Sequence, residues 1–215
     1  MTIDRWIARA DPDRAAIAFQ GQSLTYGDFA KLIETRAAQL AASGIGRGDR
    51  VAWLGFNAPE VFVLLFACAR IGAILVPLNW RLADGEVAGI LADCAPKVVF
   101  HDDKAAARAA ALAAALASPV WDGEAPGNAP ETGQESDPLL IVYTSGSTGA
   151  PKGAVLAQSA LIANAAMSVT AHGLTPEDRV LNVLPLFHVG GLNILPTPAF
   201  SIGATVVLHE VFHPT

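Results

Sequence analysis

Short runs rich in valine, isoleucine and leucine recur through this chain, and most are separated by segments long enough for a helix. The runs are "RVAWLGF" from Arg50, "AILVPLN" from Ala73, "KVVF" from Lys97, "LLIVY" from Leu139, "RVLNVLP" from Arg179 and "ATVVL" from Ala204. Strands spaced by crossovers of helix length pair in parallel, and helices then cover both faces of the sheet. The expected fold class is therefore α/β, with mainly parallel sheets flanked by helices.

Local signals support this alternation. Ala16–Phe19 and Ser23–Leu24 flank "QGQ", the pattern of a tight hairpin. Thr25 precedes Asp28 by three residues, which opens a helix running to about Ser43, and Gly44 is placed to end it. Pro59 suits the first turn of the helix after "RVAWLGF". A helix is expected near Ala83–Asp93 and another over Ser159–Ala171, with a short one near Gly190–Phe200. The alanine-rich Lys104–Leu116 reads as a helix, a low-complexity linker being the alternative. No repeat of fixed period is present.

Composition sets outer limits. Hydrophobic residues make up 52% of the 215 residues and charged ones 16%, against about 25% charged in ordinary soluble domains. That balance implies a large buried core. A net charge of −6 argues against nucleic acid as a partner, because such proteins carry a broad basic face. "VFVLLFACARIGAILVPLN", Val61–Asn79, is interrupted by Arg70 and Gly72 and is too short to span a bilayer, so it reads as a buried helix entering a buried strand. Cys68 and Cys94 lack metal-ligand spacing and read as buried thiols in a reducing compartment. The N-terminus is charged where a secretory signal would be apolar, so no export signal is expected. A cytoplasmic location is expected.

The stretch that carries chemistry is "YTSGSTGAPKG". Gly146, Gly149 and Gly153 are expected to let the backbone take positive φ and approach a ligand closely. Thr144, Ser145, Ser147 and Thr148 supply hydroxyls, Lys152 supplies a cation, and Pro151 restricts where that lysine can point. Such a set after a strand makes a cradle for phosphate. A Walker-type loop does not fit: aligned on Lys152, proline stands where the second glycine belongs and Gly153 stands where a metal-binding Ser or Thr belongs. A turn that merely bends the chain is the bland alternative.

The motif closely resembles the phosphate-loop signature of the adenylate-forming superfamily, which holds acyl-CoA synthetases, luciferases and peptide-synthetase adenylation domains. "GIGRGDRVAWLGFN" and "RIGAILVPLN" resemble that family's earlier segments, and "PLFHVGGLN", Pro185–Asn193, resembles the Pro-Leu-Phe-His motif of its acyl-CoA synthetase branch. The resemblance runs from about Pro12 to Thr215.

It implies an AMP-forming acid–thiol ligase that activates a carboxylic acid, a fatty acid being the expected one, with Mg2+ and ATP, then transfers the acyl group to coenzyme A. Thr144, Ser145, Gly146, Ser147, Thr148, Gly149 and Lys152 would hold the β- and γ-phosphates, and His188 would orient the acid. On this resemblance residues 1–121 are the first part of an adenylation domain, 122–138 a surface linker and 139–215 the part bearing the phosphate loop. His101, His209 and His213 read as surface or strand-end residues. Gln158 stands where many members carry histidine. The family's segment for adenine and magnesium, its ribose aspartate and its catalytic-lysine domain have no counterpart in the sequence. The piece is accordingly expected to be truncated at its C-terminus and inactive alone, with a metal site of its own not expected. A peptide-synthetase type of adenylation domain and a non-catalytic nucleotide- or partner-binding fragment are the alternatives, and a homodimer stays open.

Overall fold

The computed structural model describes residues 1–116, 129–144 and 151–212. A short helix, α1 (Asp4–Arg9), precedes a hairpin of β1 (Ala15–Phe19) and β2 (Gln22–Thr25). Its turn places Gln20 at φ 49° and Gly21 at φ 79°, the two left-handed positions that a tight hairpin of matching twist requires. Thr25 then caps α2 (Tyr26–Ala42), its Oγ1 accepting from the Asp28 N–H at 3.1 Å. The helix ends before Gly44, at φ 74°.

Strand and helix alternate from there. β3 (Arg50–Leu54), α3 (Pro59–Ile71), β4 (Ile74–Leu78), α4 (Asp84–Cys94) and β5 (Val98–His101) follow in order. A 3-10 turn at Asp103–Ala105 leads into α5 (Ala106–Leu116), so the alanine-rich stretch is helical. β6 (Pro138–Thr144) and β7 (Lys152–Ala157) precede α6 (Gln158–His172) and β8 (Arg179–Asn182). α7 (Val189–Asn193), α8 (Pro196–Ile202) and β9 (Thr205–Leu208) complete the described elements.

The strands form two sheets. One has the order β5-β3-β4-β6-β7, parallel except for the β6–β7 pair; the other has the order β2-β1-β9-β8, parallel except for the β1–β2 hairpin. Side chains of the five-stranded sheet sort by alternation, as the pleat demands. Ala52, Leu54, Val76, Leu78 and Val99 pack beneath α4 and α5 with Val87, Ile90, Leu91, Ala109 and Leu112. Val51, Trp53, Leu75, Val98 and Phe100 face the larger core.

That larger core is built around α3. Val61 to Ala69 and Ile71 are buried on every side except for Arg70, the pattern of a helix enclosed by its own protein. The same apolar cluster takes in Ile17, Val206 and Leu208 of the four-stranded sheet. Phe200 of α8 is its hub. The rings of Phe62, Phe29, Phe66 and Tyr26 lie 5.1, 5.5, 5.6 and 6.5 Å from that of Phe200, mostly edge to face. The Tyr26 hydroxyl donates to the Ala204 carbonyl at 2.6 Å, and burial pushes its pKa upward. Among the described residues no helix is long and apolar enough to cross a membrane.

The structure corrects one expected helix and adds detail in segments the sequence left unmarked. "KGAVLA" is a strand, β7, although nothing in its pattern marks one: Lys152 to Val155 are all exposed, and its extended state comes from pairing with β6. The helix expected near Gly190–Phe200 is two helices, because Pro196 begins a new one and Leu195 leaves helical geometry with φ −123° and ψ −45°. The described part of 122–138 does more than connect. The Thr132 and Gly133 N–H groups donate to the Arg70 carbonyl at 3.1 and 2.8 Å. Asp137 is buried, pairs with Arg47 and accepts from the Gln134 N–H at 2.7 Å. Gln158 also has a structural role. Fully buried, it accepts from the Ile3 N–H at 3.2 Å and donates to the Ala69 carbonyl at 2.9 Å, joining α1, α3 and α6.

Phe200 is the position whose truncation should cost most. Phe200→Ala is expected to lower stability by about 3–5 kcal/mol, read from the urea midpoint at unchanged m-value. A loss below about 1 kcal/mol would mean that the four rings close over the vacancy.

Candidate active site

Parallel strands present their C-terminal ends on one edge of a sheet, and crevices for ligands form there. In this chain β4 and β6 deliver Pro77, Leu78, Asn79, Tyr143 and Thr144 to one cavity of about 430 Å³. Leu82 and the α4 residues Glu86 and Ile90 form a second wall, Phe187 and His188 a third, and Pro151 closes the side next to β7. The volume lies within the range of about 300–1,000 Å³ that holds small organic ligands.

Each wall is fixed by identifiable contacts. The Asn79 side chain accepts from the Arg81 N–H at 3.0 Å, which turns the chain out of β4. Arg108 on α5 clasps that turn, donating to the carbonyls of Trp80 at 2.7 Å and Leu82 at 2.5 Å and to the Asp84 carboxylate at 2.7 Å. Glu86 accepts from the Ala83 N–H at 2.9 Å, closing the first turn of α4. His188 stands at the N-cap of α7, and its Nδ1 accepts from the Gly190 N–H at 3.0 Å. With Nδ1 as acceptor the neutral ring carries its proton on Nε2, leaving that nitrogen as the donor. α7 is anchored by Asn164, donating to the Asn193 carbonyl at 2.6 Å, and by Thr197, donating to the Leu192 carbonyl at 2.8 Å.

Tyr143 occupies the floor between β6 and α4. Its phenol donates to the Asp93 carboxylate. Burial first, then that hydrogen bond, drive its pKa above the ordinary tyrosine value, so it stays a protonated donor. Burial likewise pushes the neighbouring Cys94 thiol up to about 11, against the opposing pull of the Arg50 charge. Gly153 lies opposite Tyr143 in the β6–β7 ladder. A Cβ at Gly153 would come within 2.8 Å of Ile141 Cγ2 and 3.1 Å of Tyr143 Cζ. Its φ is not positive. Close approach, rather than the left-handed backbone expected from the sequence, is what demands glycine there.

Two of the residues expected from the sequence, Thr144 and His188, line the same cavity although 44 positions separate them in the chain. Lys152 is exposed, lies outside the lining, and pairs directly across the ladder from Thr144. Among the described residues no carboxylate pairs with it. Ser145, Gly146, Ser147, Thr148 and Gly149 lie outside the described residues. Asn79, Leu82, Glu86, Ile90, Tyr143 and Phe187 were not singled out beforehand. Asn79 and Tyr143 had a readable signal, since each stands at the C-terminal end of an apolar run expected to be a parallel strand.

A crevice at the carboxyl ends of parallel strands, bordered by Thr144 and Pro151, defines an α/β protein with a cavity of small-ligand size. The model of the family described as AMP-binding enzyme matches residues 4–215, and the chain belongs to that family. It is 45% identical over 234 aligned residues to an indoleacetate–CoA ligase of Aromatoleum aromaticum, covering 99% of this chain and 46% of that protein. It is 39% identical over 211 residues to a feruloyl-CoA synthase of an Amycolatopsis species, covering 96% of this chain and 43% of that one. Among solved structures it superposes on the o-succinylbenzoate CoA synthetase (MenE) of Bacillus subtilis in complex with the acyl-adenylate intermediate OSB-AMP. That match has a TM-score of 0.87 at 28% identity and covers 98% of this chain and 56% of the other. The chain spans about half the length of the curated relatives it matches.

The thiols provide a check on this region. Cys68 and Cys94 are both free and buried. At pH 8 the native protein should resist iodoacetamide at both, because a thiol with a pKa of about 11 is on the order of 0.1% thiolate there. Labelling of Cys94 should accelerate as pH rises toward 11, and both thiols should react at once in urea. Fast native labelling at pH 8 would show that the wall behind Tyr143 is open.

Proposed function

We propose that these residues serve an AMP-forming acid–CoA ligase, supplying its grip on the triphosphate and one side of its acid pocket. The observation that carries this reading is the convergence of Thr144, Pro151 and His188 on one cavity, with Lys152 facing Thr144 across the ladder. In the reaction a carboxylate oxygen attacks the α-phosphorus of ATP, the bond to the β-phosphate breaks, and acyl-adenylate and pyrophosphate form. The thiol of coenzyme A then attacks the acyl carbon, AMP leaves, and the thiol proton passes to solvent.

Much of the barrier reduction in such a displacement comes from alignment and charge stabilisation. The segment Thr144–Lys152 would take the β- and γ-phosphates, which become the leaving pyrophosphate. Each charge-assisted hydrogen bond there is worth about 1.5–3 kcal/mol. His188, with its proton on Nε2, can donate to a carboxylate oxygen and hold it in line. Mg2+ would arrive bound to the triphosphate, as is general for ATP-dependent ligases of this kind.

We assign an aromatic acid as the substrate in place of the fatty acid expected from the sequence. The ring-bearing walls of Tyr143 and Phe187, with Leu78, Leu82 and Ile90, support this choice, as do the indoleacetate and ferulate in the names of two relatives. Two buried free cysteines suit a reducing compartment.

The test is exchange of labelled pyrophosphate into ATP by the complete enzyme. Exchange should require an acid, with arylacetic or cinnamic acids exceeding palmitate at least about tenfold in kcat/KM. Lys152→Ala should lower exchange about 10- to 100-fold, the loss of one charge-assisted contact, with an unchanged far-UV spectrum. Exchange that ignores the acid, or survives Lys152→Ala intact, would overturn the reading.

A further inference from the structure

Asn57 lies three residues past the C-terminal end of β3 and is 5% exposed. It does not line the cavity. Yet its amide is engaged on three sides by the chain that carries His188. Nδ2 donates to the carbonyls of Leu184 and His209, each at 3.0 Å, and Oδ1 accepts from the Leu186 N–H at 2.8 Å. Leu186 is two residues before His188. The Leu184 carbonyl also receives the Asn182 side chain at 3.2 Å. The turn between β8 and α7 is thus hung from the end of β3 by one side chain that satisfies backbone groups on both sides of Pro185.

Two further features make that attachment stiff. The His188 N–H donates to the Pro185 carbonyl at 3.1 Å. A Cβ at Gly191 would come within 2.1 Å of the same Pro185 oxygen, so the first turn of α7 rests directly on the suspended turn. Displacing Leu186 therefore displaces Pro185, and with it the N-cap where His188 sits. A buried amide that both donates to and accepts from one turn specifies that turn's position, because an alternative placement leaves polar groups unpaired.

We propose that Asn57 is a positioning residue that sets the placement of His188, and through it the alignment of the acid's carboxylate. The proposal rests on the ligase reading above, in which His188 orients the acid. Hydrophobic contacts alone would leave the β8–α7 turn free to slide along the cavity rim; the two directional hydrogen bonds to Leu184 and Leu186, with the third fixing the amide on His209, do not. The change should appear in the acid's kinetic constants and leave the KM for ATP unaltered.

A double-mutant cycle in acid-dependent pyrophosphate exchange, run on the complete enzyme, separates positioning from general support of the fold. With His188 present, Asn57→Ala should lower kcat/KM for the acid about 10- to 100-fold; in a His188→Ala background the same change should cost less than about twofold. Equal losses in the two backgrounds would overturn the proposal, since a residue that only stabilises the fold acts independently of His188. So would a His188→Ala enzyme as active as the parent. Absence of exchange in the parent enzyme with any acid would sink the ligase reading itself. If Asn57→Ala fails to fold, Asn57→Asp, which keeps the acceptor facing the Leu186 N–H, runs the same cycle with a smaller expected loss that must again vanish when His188 is gone.

Discussion

The packing of Phe200 against the rings of Phe62, Phe66, Phe29 and Tyr26 is the contact on which the remaining architecture depends. Phe200 sits on α8, immediately before β9, whereas its partners belong to α2 and α3. The cluster therefore ties the late part of the chain to the early part and sets α3 against residues of both sheets. Once α3 is enclosed, the five-stranded sheet can be covered by α4 and α5 on its other face. The cavity opens at the C-terminal ends of β4 and β6, between α4 and the N-cap of α7.

At that edge, strand pairing settles what the loop can reach. Thr144 and Lys152 oppose each other in the antiparallel β6–β7 ladder. Residues directly opposite in such a ladder have Cα atoms about 4.5–5.5 Å apart. The segment between them thus leaves and returns at nearly one point on the cavity rim, beside Thr144 and Pro151. Close packing of Tyr143 over Gly153 keeps the two strands in that register.

Much of the fold was legible because the decisive signals were local. Thr25 with Asp28, Gly44 and Pro59 mark helix ends through backbone rules that hold whatever surrounds them, and the apolar runs and the hairpin pattern marked every strand except β7. That strand has no such signal: Gly153 and Ala154 are poor strand formers, and its extended state is imposed by β6. The break at Pro196 was written in the sequence but outweighed by the apolar character of its surroundings. In the site, Thr144 and His188 were visible as motif residues, whereas Glu86 and Leu82 gain their place from how α4 docks. Asn57 illustrates the limit most clearly. Its three partners lie 127 to 152 positions away, and no spacing rule connects them.

The pairing of β1 with β9 has a consequence for how such a chain comes into being. The Thr205 hydroxyl meets the Ala15 carbonyl across 190 positions of sequence, so the first hairpin has no sheet to join until nearly all of this length has been made. At ribosomal speeds of about 5–20 residues per second, its open edge waits on the order of 10 to 40 s for a partner. During that interval an unpaired strand with apolar flanks is available to other nascent chains. A topology that joins its first hairpin to its last strand places the completion of one sheet at the end of synthesis of this stretch.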